Sequence, residues 1–157
     1  MPACLLLLIL LCLYLPLLPP SLLLVSEEQV LFERVLGEPY CEVDFCHSVN
    51  KGNIREIYRL DGQRQMLNLE TGYYQSYGAG MIDTPPPEMD LRQEGDYLIL
   101  SFPANWQERI NYIGGAVAQH RFIYEDFQME IGSLRPGKPF SLLIRRRSLW
   151  DRWLQIL

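Results

Sequence analysis

The sequence predicts an all-β fold, a small antiparallel β-sandwich or barrel, preceded by an N-terminal apolar anchor helix and followed by a short amphipathic tail. Between residues 27 and 147, about eight short strand-like stretches are broken by Gly, Pro, Asn and Asp at close intervals, the rhythm of antiparallel sheets. Helical periodicity is scarce there, and there is no internal repeat. From Ala3 to Val25 no side chain is charged, and a run of that length can cross a hydrocarbon core of about 30 Å. The parts are expected at 1–26 (anchor or signal segment), 27–147 (β-domain) and 148–157 (tail).

Within the first segment, Pro16, Pro19 and Pro20 remove backbone donors. Leu5–Leu15 is expected as one helix and Leu22–Val25 as an irregular exit. Gln29–Leu36 alternates loosely and stops at Gly37-Glu38-Pro39. Tyr40–Val49 alternates better and ends at the turn Asn50–Asn53. Ile54–Leu60 sets Ile54, Glu56 and Tyr58 against Arg55, Ile57 and Arg59. Asp61-Gly62 is the strongest hairpin signal and leads into Met66–Tyr74. Thr84–Pro87 is a loop, Glu94-Gly95-Asp96 turns into Tyr97–Phe102, and Asn111–Gly115 is a break. Ala116–Tyr124, Phe127–Ile131 and Pro139–Arg147 complete the strands, the last two joined through Arg135-Pro136-Gly137. In the tail, Leu149, Trp150, Trp153, Leu154 and Leu157 share one helical face, flanked by Arg145, Arg146, Arg147 and Arg152. Tryptophans beside arginines suit a membrane interface; a short helix capping the domain is the plainer reading.

Fourteen basic residues against nineteen acidic ones give a net charge of −5, which argues against nucleic acid as partner, because phosphate binding needs a basic face. The membrane is the expected partner through residues 3–25. No Lys or Arg precedes Arg34, and Leu24 and Ser26 make a poor cleavage pair, so an uncleaved anchor leads and a cleaved signal is the alternative. Either places the β-domain outside the cytoplasm. Cys41 and Cys46 lie on one expected strand, roughly 16 Å apart if extended, too far for a disulfide, and are expected as free thiols.

Chemistry-bearing residues concentrate in one block: His47-Ser48-Val49, then Glu56 and Tyr58, then Tyr77-Gly78-Ala79-Gly80. His47 is the one side chain of this block that titrates near neutral pH. Glu56 on the following strand could meet it across the hairpin, to fix register, move a proton or hold a metal. A metal needs further ligands, and His120 is the only other histidine, so no metal or cofactor is expected. Ser48 and His47 point to opposite faces of a strand, which leaves no nucleophilic pair and no catalytic residue. Gly78 and Gly80 permit a tight turn, or backbone amides that bind an anion or a partner's strand.

In this block the chain resembles the domain of unknown function 1850 family, small bacterial exported or membrane-anchored proteins. Members show a strand ending in His-Ser-Val, a strand with Glu and an aromatic, and a Gly-Ala-Gly turn. A weaker echo is Ile113–His120 with Leu134–Pro139. Asn50 stands where members tend to carry an acidic residue, and the Trp-rich tail is also a departure. The resemblance implies a non-enzymatic accessory of a TRAP transporter with a TAXI-type solute-binding protein, its subunits being the expected partners. Alternatives are a binding module for a small anionic solute, and a His/Glu-dependent enzyme or metal-binding protein.

Overall fold

A computed structural model describes residues 13, 15, 16, 18–48, 51–75, 87–114 and 118–154. Eleven strands are described: β1 (Ser21–Ser26), β2 (Gln29–Val35), β3 (Tyr40–Cys46), β4 (Asn53–Asp61), β5 (Met66–Gln75), β6 (Asp90–Glu94), β7 (Tyr97–Ser101), β8 (Arg109–Tyr112), β9 (Arg121–Tyr124), β10 (Phe127–Glu130) and β11 (Phe140–Arg145). Two short helices follow late in the chain, α1 (Ile131–Leu134) and α2 (Leu149–Leu154). The strands form a four-stranded sheet, β2-β1-β11-β8, and a seven-stranded sheet, β10-β9-β3-β4-β5-β7-β6. All the pairings are antiparallel, as the turn-rich sequence requires.

The sheets pack face to face. Leu22 and Leu24 of β1, Phe32 of β2 and Leu142 and Ile144 of β11 meet Val43 of β3, Tyr58 of β4 and Phe122 and Tyr124 of β9. Phe32 is the aromatic hub, edge-on to Phe122 at 5.1 Å and stacked on Phe127 at 4.5 Å. Such pairs add about 0.5–1.5 kcal/mol each beyond the area they bury. A reciprocal backbone pair, Leu67 with Gln107 at 2.8 Å both ways, ties β5 to the segment entering β8.

The N-terminal expectation is corrected in part. Ser21–Ser26, assigned from the sequence to an anchor ending at residue 26, is a strand of the domain, and all six residues are buried. Pairing to β2 on one side and β11 on the other makes it a central strand. Leu22 and Leu24 face the main core, while Leu23 and Val25 join Leu143 and Val30 in a second cluster on the other face. A strand covered on both faces needs an unbroken apolar run, the pattern also required of a bilayer span. Pro19-Pro20 ends any preceding helix just before it. Among the described residues no helix is long and apolar enough to cross a membrane. Leu5–Leu15 lies almost wholly outside the described residues.

Other departures have local reasons. Asp90–Glu94 forms β6 although all five residues are exposed: an edge strand bonded only to β7 buries neither face and shows no alternation. Part of the expected break Asn111–Gly115 is strand, because β8 pairs with β11. Phe127–Ile131 stops at Glu130, since the Ile131 and Gly132 amides turn to donate to the His120 carbonyl and start α1. Cys41 and Cys46 are free thiols, as their spacing requires. Burial pushes the Cys41 thiol well up, with a smaller push from Glu42.

Candidate functional site

Two polar constellations stand out. The first is inside. Glu56 and Tyr58 are two residues apart on β4 and share its inner face. Tyr112 reaches them from β8 of the other sheet. The Tyr58 hydroxyl donates to Glu56 Oε2 at 2.8 Å and lies 2.7 Å from the Tyr112 hydroxyl. The Tyr112 hydroxyl also bonds Glu56 Oε2. Three oxygens thus make three mutual contacts, but two phenols supply only two protons. The third contact becomes a hydrogen bond when the Glu56 carboxyl carries the missing proton. Burial agrees: it raises the Glu56 pKa above the usual carboxylate range, outweighing the opposing hydrogen bonds from Tyr112 and Tyr58. Burial, and after it the Glu56 charge, likewise pushes both phenols up, which keeps them as donors.

His120 completes this interior cluster. It is 4% exposed, stacked on Phe45 at 5.0 Å, with Tyr112 at 5.6 Å and Phe140 at 5.1 Å. Its Nδ1 is buried without a hydrogen-bond partner. Burial lowers its pKa, so the ring stays neutral among aromatic neighbours. The cluster can hold a proton between two sheets.

The second constellation is on the outer face of the large sheet. Register places Glu130, Arg121, Asp44, Arg55, Tyr73 and Ile99 in one row across β10, β9, β3, β4, β5 and β7. Asp44 joins two arginines, its Oδ2 2.6 Å from Arg121 and its Oδ1 3.0 Å from Arg55. A groove of about 520 Å³ lies over this row, with Tyr97, Glu94 and Gln119 also on its walls. Asp44 is the least exposed of the three charges, and both arginine side chains stay partly exposed where they line the groove. Such a surface offers paired cations, flanking carboxylates and aromatic walls to a charged ligand or partner loop.

The structure separates the block read from the sequence. His47 follows the end of β3, where its amide donates to the Gly52 carbonyl at 2.9 Å and its carbonyl accepts from Lys51 at 3.0 Å. Ser48 is exposed at the same turn and its carbonyl accepts from Lys51 Nζ. The residue facing Glu56 across the hairpin is Val43, four residues before His47. Four strand residues span about 13 Å, so the expected His47–Glu56 cross-strand contact is corrected: Glu56 faces inward to Tyr58 and Tyr112 instead. Tyr77, Gly78 and Gly80 lie outside the described residues. His120 joins Glu56 and Tyr58 only through Tyr112, which sequence reasoning missed because it fell in an expected break. Asp44, Arg55, Tyr73 and Arg121 were missed as well; opposite charges on outward positions of the β3–β4 hairpin were their one legible signal. Among the described residues no three His, Cys, Asp or Glu side chains gather as a metal-binding group.

The weaker motif has a plain packing reason. A Cβ on Gly114 would stand 2.1 Å from the Lys138 carbonyl oxygen, and one on Gly132 2.9 Å from Gln119 Cα. Without a Cβ, Gly114 can meet Lys138, and Gly132 can meet Gln119, backbone to backbone.

A family model, Domain of unknown function (DUF1850), matches residues 41–131, more than half of the chain. The chain belongs to this family. The DUF1850 match runs from β3 to β10 and takes in both the interior Glu56–Tyr112 contact and every residue lining the outer groove. No curated protein and no solved structure matches the chain.

Proposed function

We propose that this DUF1850 protein is a non-enzymatic accessory domain, held at the cytoplasmic membrane by its apolar N-terminus, with the β-domain on the extracytoplasmic side. Its partner is a subunit of a TAXI-type TRAP transporter, as the family resemblance implies. The docking surface is the outer face of the large sheet. The observation that supports this is that the charged and aromatic groove lies wholly within the family-matched residues. The interior Glu56 cluster serves cohesion between the sheets. Cross-linking in native membranes, then purification of the tagged chain, tests the proposal. Transporter subunits should be recovered with the wild type and lost with Arg55→Glu and Tyr73→Ala. Recovery of the chain alone, still membrane-bound, would overturn the partner.

A second reading, a binding module for a small anionic solute, is favoured by the volume. About 520 Å³ falls within the size of small-ligand pockets. Stabilisation of the purified chain by candidate acids, abolished by Arg121→Glu, would move this reading to first place.

A further inference from the structure

The chain enters the domain through Pro19-Pro20, and the Leu36 amide fixes this entry by donating to the Pro20 carbonyl at 3.0 Å. The first residue of β1, Ser21, pairs with Arg145, the last residue of β11. The uncharged N-terminal run and the C-terminal tail therefore leave neighbouring strands at the same end, about 5 Å apart.

The tail is fixed there. Arg147 is 4% exposed, with Nη1 2.7 Å from Glu33 Oε2 and Nη2 2.6 Å from the Asp151 carbonyl. Arg152 reaches the other oxygen of Glu33 at 3.0 Å. Ser148 and Asp151 cap α2 reciprocally, each side chain accepting from the other's amide. The Arg146 amide bonds Gln65 Oε1 in the β4–β5 turn.

So placed, α2 presents apolar surface outward. Trp153 is 73% exposed and Leu149 48%, and the Trp153 ring lies 5.3 Å from that of Trp150. Arg145 and Arg146, which precede α2 in the chain, have no carboxylate in salt-bridge range among the described residues, whereas Arg147 and Arg152 are both paired with Glu33. Two guanidiniums without a described carboxylate partner, on the residues that lead into a helix exposing the Trp153 indole, complement anionic headgroups even on a chain of net charge −5, with indoles at the polar–apolar boundary and arginines on phosphates.

We infer that Arg145, Arg146, Trp150 and Trp153 form a foot that rests on the headgroup layer of an anionic bilayer. The inference rests on the membrane-anchored reading above and adds that the domain lies down at the end where the anchor enters. The foot then limits how the groove face is presented to a partner in the same membrane.

The full chain reconstituted in phosphatidylcholine vesicles, with and without phosphatidylglycerol, tests this. Flotation reports the anchor; quenching of tryptophan emission by lipids brominated near the headgroup reports the foot. Shallow quenching is expected, stronger with phosphatidylglycerol, falling in Trp150→Phe/Trp153→Phe to the level of Trp106 alone. Arg145→Glu/Arg146→Glu should lose the dependence on phosphatidylglycerol while keeping wild-type strand content by circular dichroism. A chain that floats without such quenching overturns the foot and leaves the anchor standing. Quenching in a chain that floats only with anionic lipid supports the foot and removes the anchor. Neither flotation nor quenching overturns both. Shielding of Trp153 from acrylamide in native membranes, without lipid quenching, overturns the foot in favour of a protein neighbour.

Discussion

The three-oxygen contact of Glu56, Tyr58 and Tyr112 predicts how stability depends on pH, and Glu56→Gln is the perturbation that reads it. In the folded chain burial raises the Glu56 pKa; in the unfolded chain it returns to about 4.5. A raised folded pKa gives a contribution fully present below the unfolded value and lost as pH rises through the folded one. Within that window the loss is about 1.4 kcal/mol per pH unit, because the unfolded chain has released a proton that the folded chain still holds. His120 runs the opposite way. Its pKa is lowered from 6.5 by burial, so its contribution is present above 6.5 and lost as pH falls through the folded value. The wild-type curve mixes the two, but the difference between Glu56→Gln and wild type isolates Glu56. Glutamine keeps an oxygen acceptor and an N–H donor for the two phenols, so at about pH 4 the variant should lie within roughly 1 kcal/mol of wild type. As pH rises, the variant should gain on wild type by up to about 1.4 kcal/mol per unit and then level off. Urea unfolding of the full chain in mild detergent, repeated between about pH 4 and 8 and followed by tryptophan emission, measures the difference. A flat difference, or a variant that loses ground as pH rises, would show Glu56 ionised in the fold and refute the shared-proton reasoning.

Tyr112→Phe, which leaves Glu56 and Tyr58 short of a partner between the sheets, should cost about 1–3 kcal/mol in the same assay. Leu24→Ala, at a position with no exposure, should cost about 2–5 kcal/mol, whereas a negligible cost would remove β1 from the core. Gly114→Ala drives a Cβ to 2.1 Å from the Lys138 carbonyl and should cost about 1–3 kcal/mol by forcing the two segments apart, read by thermal melting. Arg121→Gln removes the ion pair to Asp44 at 2.6 Å but leaves Asp44 its bond to Arg55 at 3.0 Å, and should cost only about 1 kcal/mol, so a larger loss of partner or solute binding in that variant reports the groove itself.

Much of the large sheet was legible. β3 and β4 alternate because one face is buried and the other wet, and Asp61 marks the turn into β5 by accepting from the Gln63 and Arg64 amides at 2.9 Å. β6 and β8 were not legible, since an exposed edge and a four-residue strand carry too little pattern. At the site, Glu56, Tyr58 and His120 could be picked by residue type, but not their wiring. Tyr112 stands 56 positions from Glu56, and only the packing of one sheet on the other brings its hydroxyl to the carboxylate.

By itself the sequence determined an antiparallel all-β domain, two free thiols, an acidic surface, and a membership carried by the motifs around His47 and Glu56. Tertiary structure decided where Ser21–Ser26 belongs. An apolar run states only that its side chains must leave water; it does not state whether lipid or protein receives them. Here β2 and β11 bond both edges of that strand and apolar side chains cover both its faces, so the last turn's worth of an expected membrane segment became the middle of a sheet.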